Sequence, residues 1–98
     1  MKSKDEKIRN KDTDALFSAI LSLRSVEECY MFFEDALTAK EITEIAQRWK
    51  AAGMLRAGAS YLEVCAETGM STATISRVSK ALERGAGGYK LALERTEK

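Results

Sequence analysis

The sequence has no histidine and no proline, and only two of its 98 residues are cysteine. Without histidine, Ser–His and Cys–His nucleophile pairs are excluded, as is any zinc site that uses histidine. The phosphate-binding pattern GxxxxGK[ST] is missing, and no GxGxxG follows a predicted strand. We therefore expect no enzymatic activity, no metal and no required cofactor.

Long apolar runs are also missing. No stretch approaches the roughly 20 apolar residues of a membrane-spanning helix, and no signal peptide is visible. Cys29 and Cys65 lack CxxC spacing, so we interpret them as small apolar residues in a reducing compartment, with a disulfide or redox switch as the alternative. These absences predict a cytoplasmic protein without membrane contact.

The residues that are abundant, Ala, Leu, Glu, Lys and Arg, favour an all-α chain. Capping-box spacing marks three predicted helix starts, at Ser25 with Glu28, Thr38 with Glu41 and Ser60 with Glu63. We predict a flexible basic N-terminus over 1–12 and a helical domain over 13–98. Its six helices would cover 13–24 (capped by Thr13 or Asp14), 26–37, 39–57, a short segment between Ser60 and Gly69, a helix opened by Ser71, and 89–97.

The first two predicted helices have apolar residues around almost their whole circumference, so each must be buried on more than one side. A 98-residue chain has few other surfaces that could cover them. We therefore expect a homodimer that shares these helices in its core. A compact monomer with a large aromatic cluster is the alternative. The third helix shows a cleaner apolar stripe, predicted at Ile42, Ile45, Ala46, Trp49, Ala52 and Met54 or Leu55.

Residues 60–84 have the pattern of a helix-turn-helix, in which the second helix enters the DNA major groove. Gly69 supplies the turn between the helices, and five apolar residues would pack them together: Val64, Cys65, Met70, Ile75 and Val78. The predicted outward side chains are short hydroxyls, a methyl group and cations, which suit phosphates and base edges. These candidate DNA-contact residues are Thr72, Ala73, Thr74, Ser76, Arg77 and Lys80.

Charge gives this interpretation modest support. The net charge is only +1, but residues 71–98 carry six cations against three anions. Residues 1–12 carry five cations against three anions, so they could contact phosphates or simply be a solvated terminus.

The segments LTAKEITEIAQRWKAAGMLRAG at 37–58 and GMSTATISRVSKAL at 69–82 resemble the Trp repressor family, most closely its YerC/YecD branch. The resemblance implies a six-helix, all-α, intertwined dimer with two helix-turn-helix units spaced for successive major grooves, about 34 Å apart. It also implies that double-stranded DNA is contacted by Thr72, Ala73, Thr74, Ser76 and Arg77.

The resemblance further implies an effector pocket, with matching positions at Leu37, Thr38, Arg48, Arg77, Val78 and Ala81. A glycine and a serine of the family pocket are replaced here by Val78 and Ala81. The valine side chain would intrude on a bicyclic ring, and the alanine lacks a hydroxyl partner for the ligand. We therefore expect a small-molecule co-repressor other than tryptophan, or none.

Together these observations predict a dimeric transcriptional regulator that represses by occupying a palindromic operator. Two alternatives stay open. One is a dimeric protein-interaction module with weak DNA binding, which the near-neutral charge and the apolar Tyr61, Leu62 and Cys65 of the first helix-turn-helix helix favour. The other is a small-molecule sensor.

Overall fold

The computed structural model describes residues 8–97, and within this range it contains six α-helices and no strand. The helices are α1 (Lys11–Leu21), α2 (Val26–Ala36), α3 (Ala39–Arg56), α4 (Tyr61–Thr68), α5 (Thr72–Arg84) and α6 (Gly88–Thr96). The all-α prediction and the order of the helices are confirmed. None of these helices has the length and apolar content needed to cross a membrane.

Two of the three predicted capping boxes form with both hydrogen bonds. At the start of α3, the Glu41 N–H donates to Thr38 Oγ1 (3.1 Å) and the Thr38 N–H donates to the Glu41 carboxylate (2.9 Å). Ser60 and Glu63 make the same pair at the start of α4. Hydrogen bonds from Thr38 and from Ser60, the backbone N–H first, hold the pKa values of Glu41 and Glu63 below the ordinary glutamate value.

The third box forms only in part. The Ser25 hydroxyl accepts the Glu28 N–H as expected, but the Glu28 carboxylate accepts the backbone N–H of Arg24 (2.8 Å). In a complete capping box the donor would be the backbone N–H of Ser25. The Glu28 carboxylate therefore binds the residue before the N-cap.

The predicted bounds of α1 were wrong by two or three residues. Asn10 caps the helix through its side-chain oxygen, which accepts the Thr13 N–H at 2.9 Å, so Lys11 and Asp12 are helical and not part of a flexible terminus. Asn is as good an N-cap as the Thr13 and Asp14 that the sequence analysis preferred. The helix ends at Leu21, where the Ser22 hydroxyl donates to the Ala19 carbonyl. Residues 1–7 of the predicted terminus lie outside the described residues.

The chain divides into two compact units, here called the N-terminal unit (8–42) and the C-terminal unit (43–97). The N-terminal unit has no fully buried residue, although its aromatic rings Phe32 and Phe33 meet edge to face at 5.3 Å. Large apolar side chains remain exposed on α1 and α2, among them Leu16, Phe17, Leu21, Val26, Tyr30 and Met31. The single chain therefore leaves uncovered the apolar surface that the sequence analysis expected to be shared.

The C-terminal unit has the hydrophobic core. It is built from Ala51 and Ala52 of α3, Val64 of α4, Ile75 and Val78 of α5 and Leu93 of α6. Cys65 and Met70 are half-buried and pack against this core, so the apolar set predicted for the helix-turn-helix is confirmed.

The stripe predicted on α3 is only partly correct. Ala51 and Ala52 are both fully buried, whereas Ile45 and Trp49 are 55% and 37% exposed. Small side chains let the helices of the C-terminal unit approach α3 closely at the two alanines, which turns the larger side chains outward. Trp49 lies beside Tyr89, with ring centroids 6.4 Å apart.

Candidate nucleic-acid interface

A three-residue turn joins α4 to α5. Gly69 ends α4 in the left-handed conformation (φ 73°), and its N–H donates to the Cys65 carbonyl at 2.8 Å. Ser71 then caps α5, because its hydroxyl accepts the Thr74 N–H at 3.2 Å. Two short helices joined by a turn of this length that contains glycine form a helix-turn-helix.

The six candidate DNA-contact residues all lie on α5, the second of these helices. Thr72, Ala73, Arg77 and Lys80 are exposed, and Thr74 and Ser76 are half-buried. On the opposite side of the helix, Ile75 and Val78 enter the core. Burial of one side holds α5 against the domain and leaves the polar side of the helix accessible.

Three cations give this helix its positive charge. Arg77, Lys80 and Arg84 are exposed, and none has an ion-pair partner within residues 8–97. The anion on the same helix, Glu83, is close to the Ser79 hydroxyl at 3.4 Å. Lys50 and Arg56 of α3, in contrast, pair with carboxylates at 3.2 and 3.7 Å.

Thr74 differs from its neighbours because its hydroxyl already has a partner. Its Oγ1 lies 3.0 Å from the Ser71 hydroxyl, and either of the two can be the donor. A hydroxyl combines one donor with two acceptor positions, so the Thr74 hydroxyl can still make two further hydrogen bonds.

An open cavity of about 200 Å³ lies beside this end of α5, lined by Glu44, Gln47 and Arg48 of α3 and by Met70 and Thr74. Of the predicted effector residues, only Arg48 lines it. Arg77 points to solvent elsewhere on α5, and Ala81 is half-buried. Val78, expected to restrict the pocket, is instead 3% exposed within the hydrophobic core.

The other two predicted effector residues belong to the N-terminal unit. Leu37 ends α2 and is half-buried, and Thr38 caps α3. Sequence reasoning missed Glu44 and Gln47 as cavity residues, although their spacing from Arg48 already placed all three on one side of a helix.

The family model described as Trp repressor protein matches residues 11–97 of this chain. The chain is also 50% identical over 92 residues to YerC of Bacillus subtilis (strain 168), a protein described as uncharacterized. That match covers 94% of this chain and 88% of YerC. The chain belongs to the Trp repressor family.

Solved structures agree with this family membership. A TrpR-like protein from Eubacterium eligens ATCC 27750 superposes with a TM-score of 0.89 at 45% identity, over 93% of this chain and 94% of that one. A Staphylococcus aureus protein provisionally assigned as a Trp repressor superposes with a TM-score of 0.92 at 43% identity, over 98% of this chain and 96% of that one. The expected resemblance to the Trp repressor family, and to YerC within it, is confirmed, as is the Trp-repressor-like fold.

Proposed function

We propose that this protein is a sequence-specific, DNA-binding transcriptional regulator, not an enzyme, that acts in the cytoplasm as a homodimer. The observation that carries the proposal is the two-sided character of α5. One side is buried in the core of a helix-turn-helix, and the other presents hydroxyls, a methyl group and cations without an ion pair among residues 8–97. Membership in the Trp repressor family supports the same function.

In the proposed mechanism the cations hold the protein on the DNA backbone. Arg77, Lys80 and Arg84 lie at intervals of three and four residues, so they follow one side of α5 and can contact successive phosphates. Because none of them has to break an ion pair within the described residues, binding costs little internal electrostatic energy.

Sequence readout is assigned to the first two turns of α5. Thr72, Thr74 and Ser76 offer hydroxyls that can donate or accept, and the Ala73 methyl group suits the methyl group of thymine. The Ser71–Thr74 hydroxyl pair fixes the rotamer of Thr74 before DNA arrives. This fixed rotamer reduces the entropy that the side chain loses on binding.

The dimer is proposed from the exposed apolar side chains of α1 and α2. Phe17, Leu21 and Val26 are 53%, 85% and 74% exposed in the single chain. Apolar surface of this kind on a small domain is normally an interface. A twofold dimer would place two α5 helices about 34 Å apart, and the protein would repress by occupying a palindromic operator.

Two other functions have specific support. Leu62 is 81% exposed and Tyr61 41% exposed on α4, where a DNA-binding protein would gain from cations, so the proposed alternative is a protein-interaction module. The cavity beside Arg48 favours the second alternative, a small-molecule sensor whose effector is not tryptophan.

A mobility-shift titration against genomic fragments at two salt concentrations tests the main proposal. A regulator retains one preferred fragment and loses affinity steeply with salt, because displaced counterions favour binding at low salt. A flat, weak response to every fragment would support the interaction module instead. Thermal-shift screening with amino acids and indole compounds tests the sensor, because a ligand selective for the folded state raises Tm.

A further inference from the structure

Thr68 is the one buried polar side chain among residues 8–97, with 7% of its surface exposed. It is the last residue of α4, immediately before the turn that leads to α5. The other buried side chains in this range are all apolar, so a polar group at this position requires a reason beyond packing.

The Thr68 hydroxyl makes two hydrogen bonds. It donates to the Val64 carbonyl at 2.7 Å, and it accepts the backbone N–H of Met70 at 3.2 Å. The second bond crosses Gly69, whose left-handed backbone has no side chain to restrict it. The hydroxyl thus connects the end of α4 to the middle of the turn.

Met70 is the residue through which this bond reaches the DNA-contact side. It is half-buried against the core, it lines the cavity with Thr74, and it directly precedes Ser71, the N-cap of α5. The Met70 N–H donates its hydrogen bond to the Thr68 hydroxyl. Loss of this bond would leave the Met70 N–H without its acceptor and remove one restraint on the turn that precedes α5.

We propose that Thr68 is a positioning residue for DNA readout, setting the angle at which the first turn of α5 meets the bases. The proposal rests on the proposed DNA-binding function. It concerns the hydroxyl and not the size of the side chain, so variants that separate hydrogen bonding from volume can test it.

Three variants make this separation. Thr68→Val keeps the volume and removes the hydroxyl, Thr68→Ser keeps the hydroxyl and removes the methyl group, and Thr68→Ala removes both. A positioning role predicts that Ser behaves like wild type and Val like Ala. A packing role predicts the reverse, with Val like wild type and Ser like Ala.

The readout is the ratio of affinities for two labelled duplexes, one recovered by selection from a random pool and one with the same bases shuffled. Binding is measured at a temperature where circular dichroism shows each variant fully folded. We expect Thr68→Val to reduce the ratio about tenfold, because the half-buried Met70 N–H loses its acceptor, and Thr68→Ser to change it less than twofold. An unchanged ratio in Thr68→Val would overturn the proposal.

Amide hydrogen exchange of the Met70 N–H gives a second measurement that needs no DNA. Positioning by the hydroxyl predicts faster exchange at Met70 in Thr68→Val than in Thr68→Ser, and equal rates would contradict it. A wild-type protein that shows no preference between the duplexes would refute the DNA-binding function, and the positioning role with it. A wild-type preference that survives in Thr68→Val refutes the positioning role alone.

Discussion

At the scale of single residues, the chemistry of the candidate interface depends on which side chains already make an ion pair or hydrogen bond within the chain. Arg77 has no partner within the described residues, whereas Lys50 and Arg56 are paired. Sequence periodicity was sufficient to place Arg77 outside the core. It could not show that the Thr74 hydroxyl meets Ser71, since that contact depends on rotamers.

Arg77→Ala is expected to weaken operator binding by about 1–3 kcal/mol, because one good base or charged contact is worth that much. Fluorescence anisotropy with a selected duplex measures the loss. The matched control is Arg95→Ala, which removes the same charge from an exposed position of α6. Equal losses in the two variants would show that only net charge matters, and a change below about 0.5 kcal/mol in Arg77→Ala would contradict the assigned role.

Glu63 gives a pH dependence of known sign. Hydrogen bonds with Ser60 lower its pKa in the folded chain, so its contribution to stability is complete above the unfolded pKa of about 4.3. That contribution is lost as the pH falls through the lower folded pKa. Urea titrations at several pH values measure this effect. Between about pH 5 and pH 2, we expect the free energy of unfolding of Glu63→Gln to fall less steeply than that of the wild type.

The control for this experiment is Glu94→Gln, an exposed carboxylate on α6 without a hydrogen bond or ion pair within the described residues. It should retain the wild-type slope. A slope equally reduced in both variants would argue against the Ser60–Glu63 capping box as its source.

At the scale of elements, helix order and the helix-turn-helix were predictable, because capping boxes and glycines mark their ends locally. The start of α1 was not, since Asn10, Thr13 and Asp14 are all acceptable caps within five residues. The buried side of α3 was predicted only in part, because the expected stripe included Ala52 but not Ala51. Ala51 and Ala52 are weak signals in a hydrophobic pattern, yet their small size is what allows close packing.

Alanine substitution at two glycines should change the free energy of unfolding in opposite directions. Gly69 has φ 73°, so Gly69→Ala is expected to lower the free energy of unfolding by about 1–2 kcal/mol. Gly53 lies inside α3, and an added Cβ would meet Leu93 Cδ2 at an ordinary 3.9 Å. Gly53→Ala should therefore stabilise the protein by about 0.5–1 kcal/mol. Chemical denaturation measures both, and destabilisation by Gly53→Ala would show that α3 packs more tightly than described.

At the scale of the whole molecule, the N-terminal unit exposes the apolar surface on which the proposed dimer depends. Its helices expose Phe17 and Leu21, and the core of the single chain lies in the C-terminal unit. The sequence predicted a shared interface here from apolar residues around almost the full circumference of two helices. It could not specify which atoms meet across the interface, because a partner surface is not encoded in local periodicity.

We expect light scattering to give a mass of about twice the 10.9 kDa of one chain. Phe17→Glu should shift the protein toward monomer, because a buried unpaired carboxylate is costly at an apolar interface. Leu62→Glu, at an even more exposed position on α4, is the control and should stay dimeric. A wild-type monomer would remove the basis for two α5 helices spaced along one duplex.

The most direct test of the account is selection of bound sequences from a random DNA pool with the full-length protein. Two α5 helices related by a twofold axis predict an enriched inverted repeat whose half-sites are centred about 10 base pairs apart. Arg77→Ala should weaken that enrichment, while Arg95→Ala retains it. A pool that stays unenriched after repeated rounds at moderate salt would contradict the proposal that α5 reads DNA.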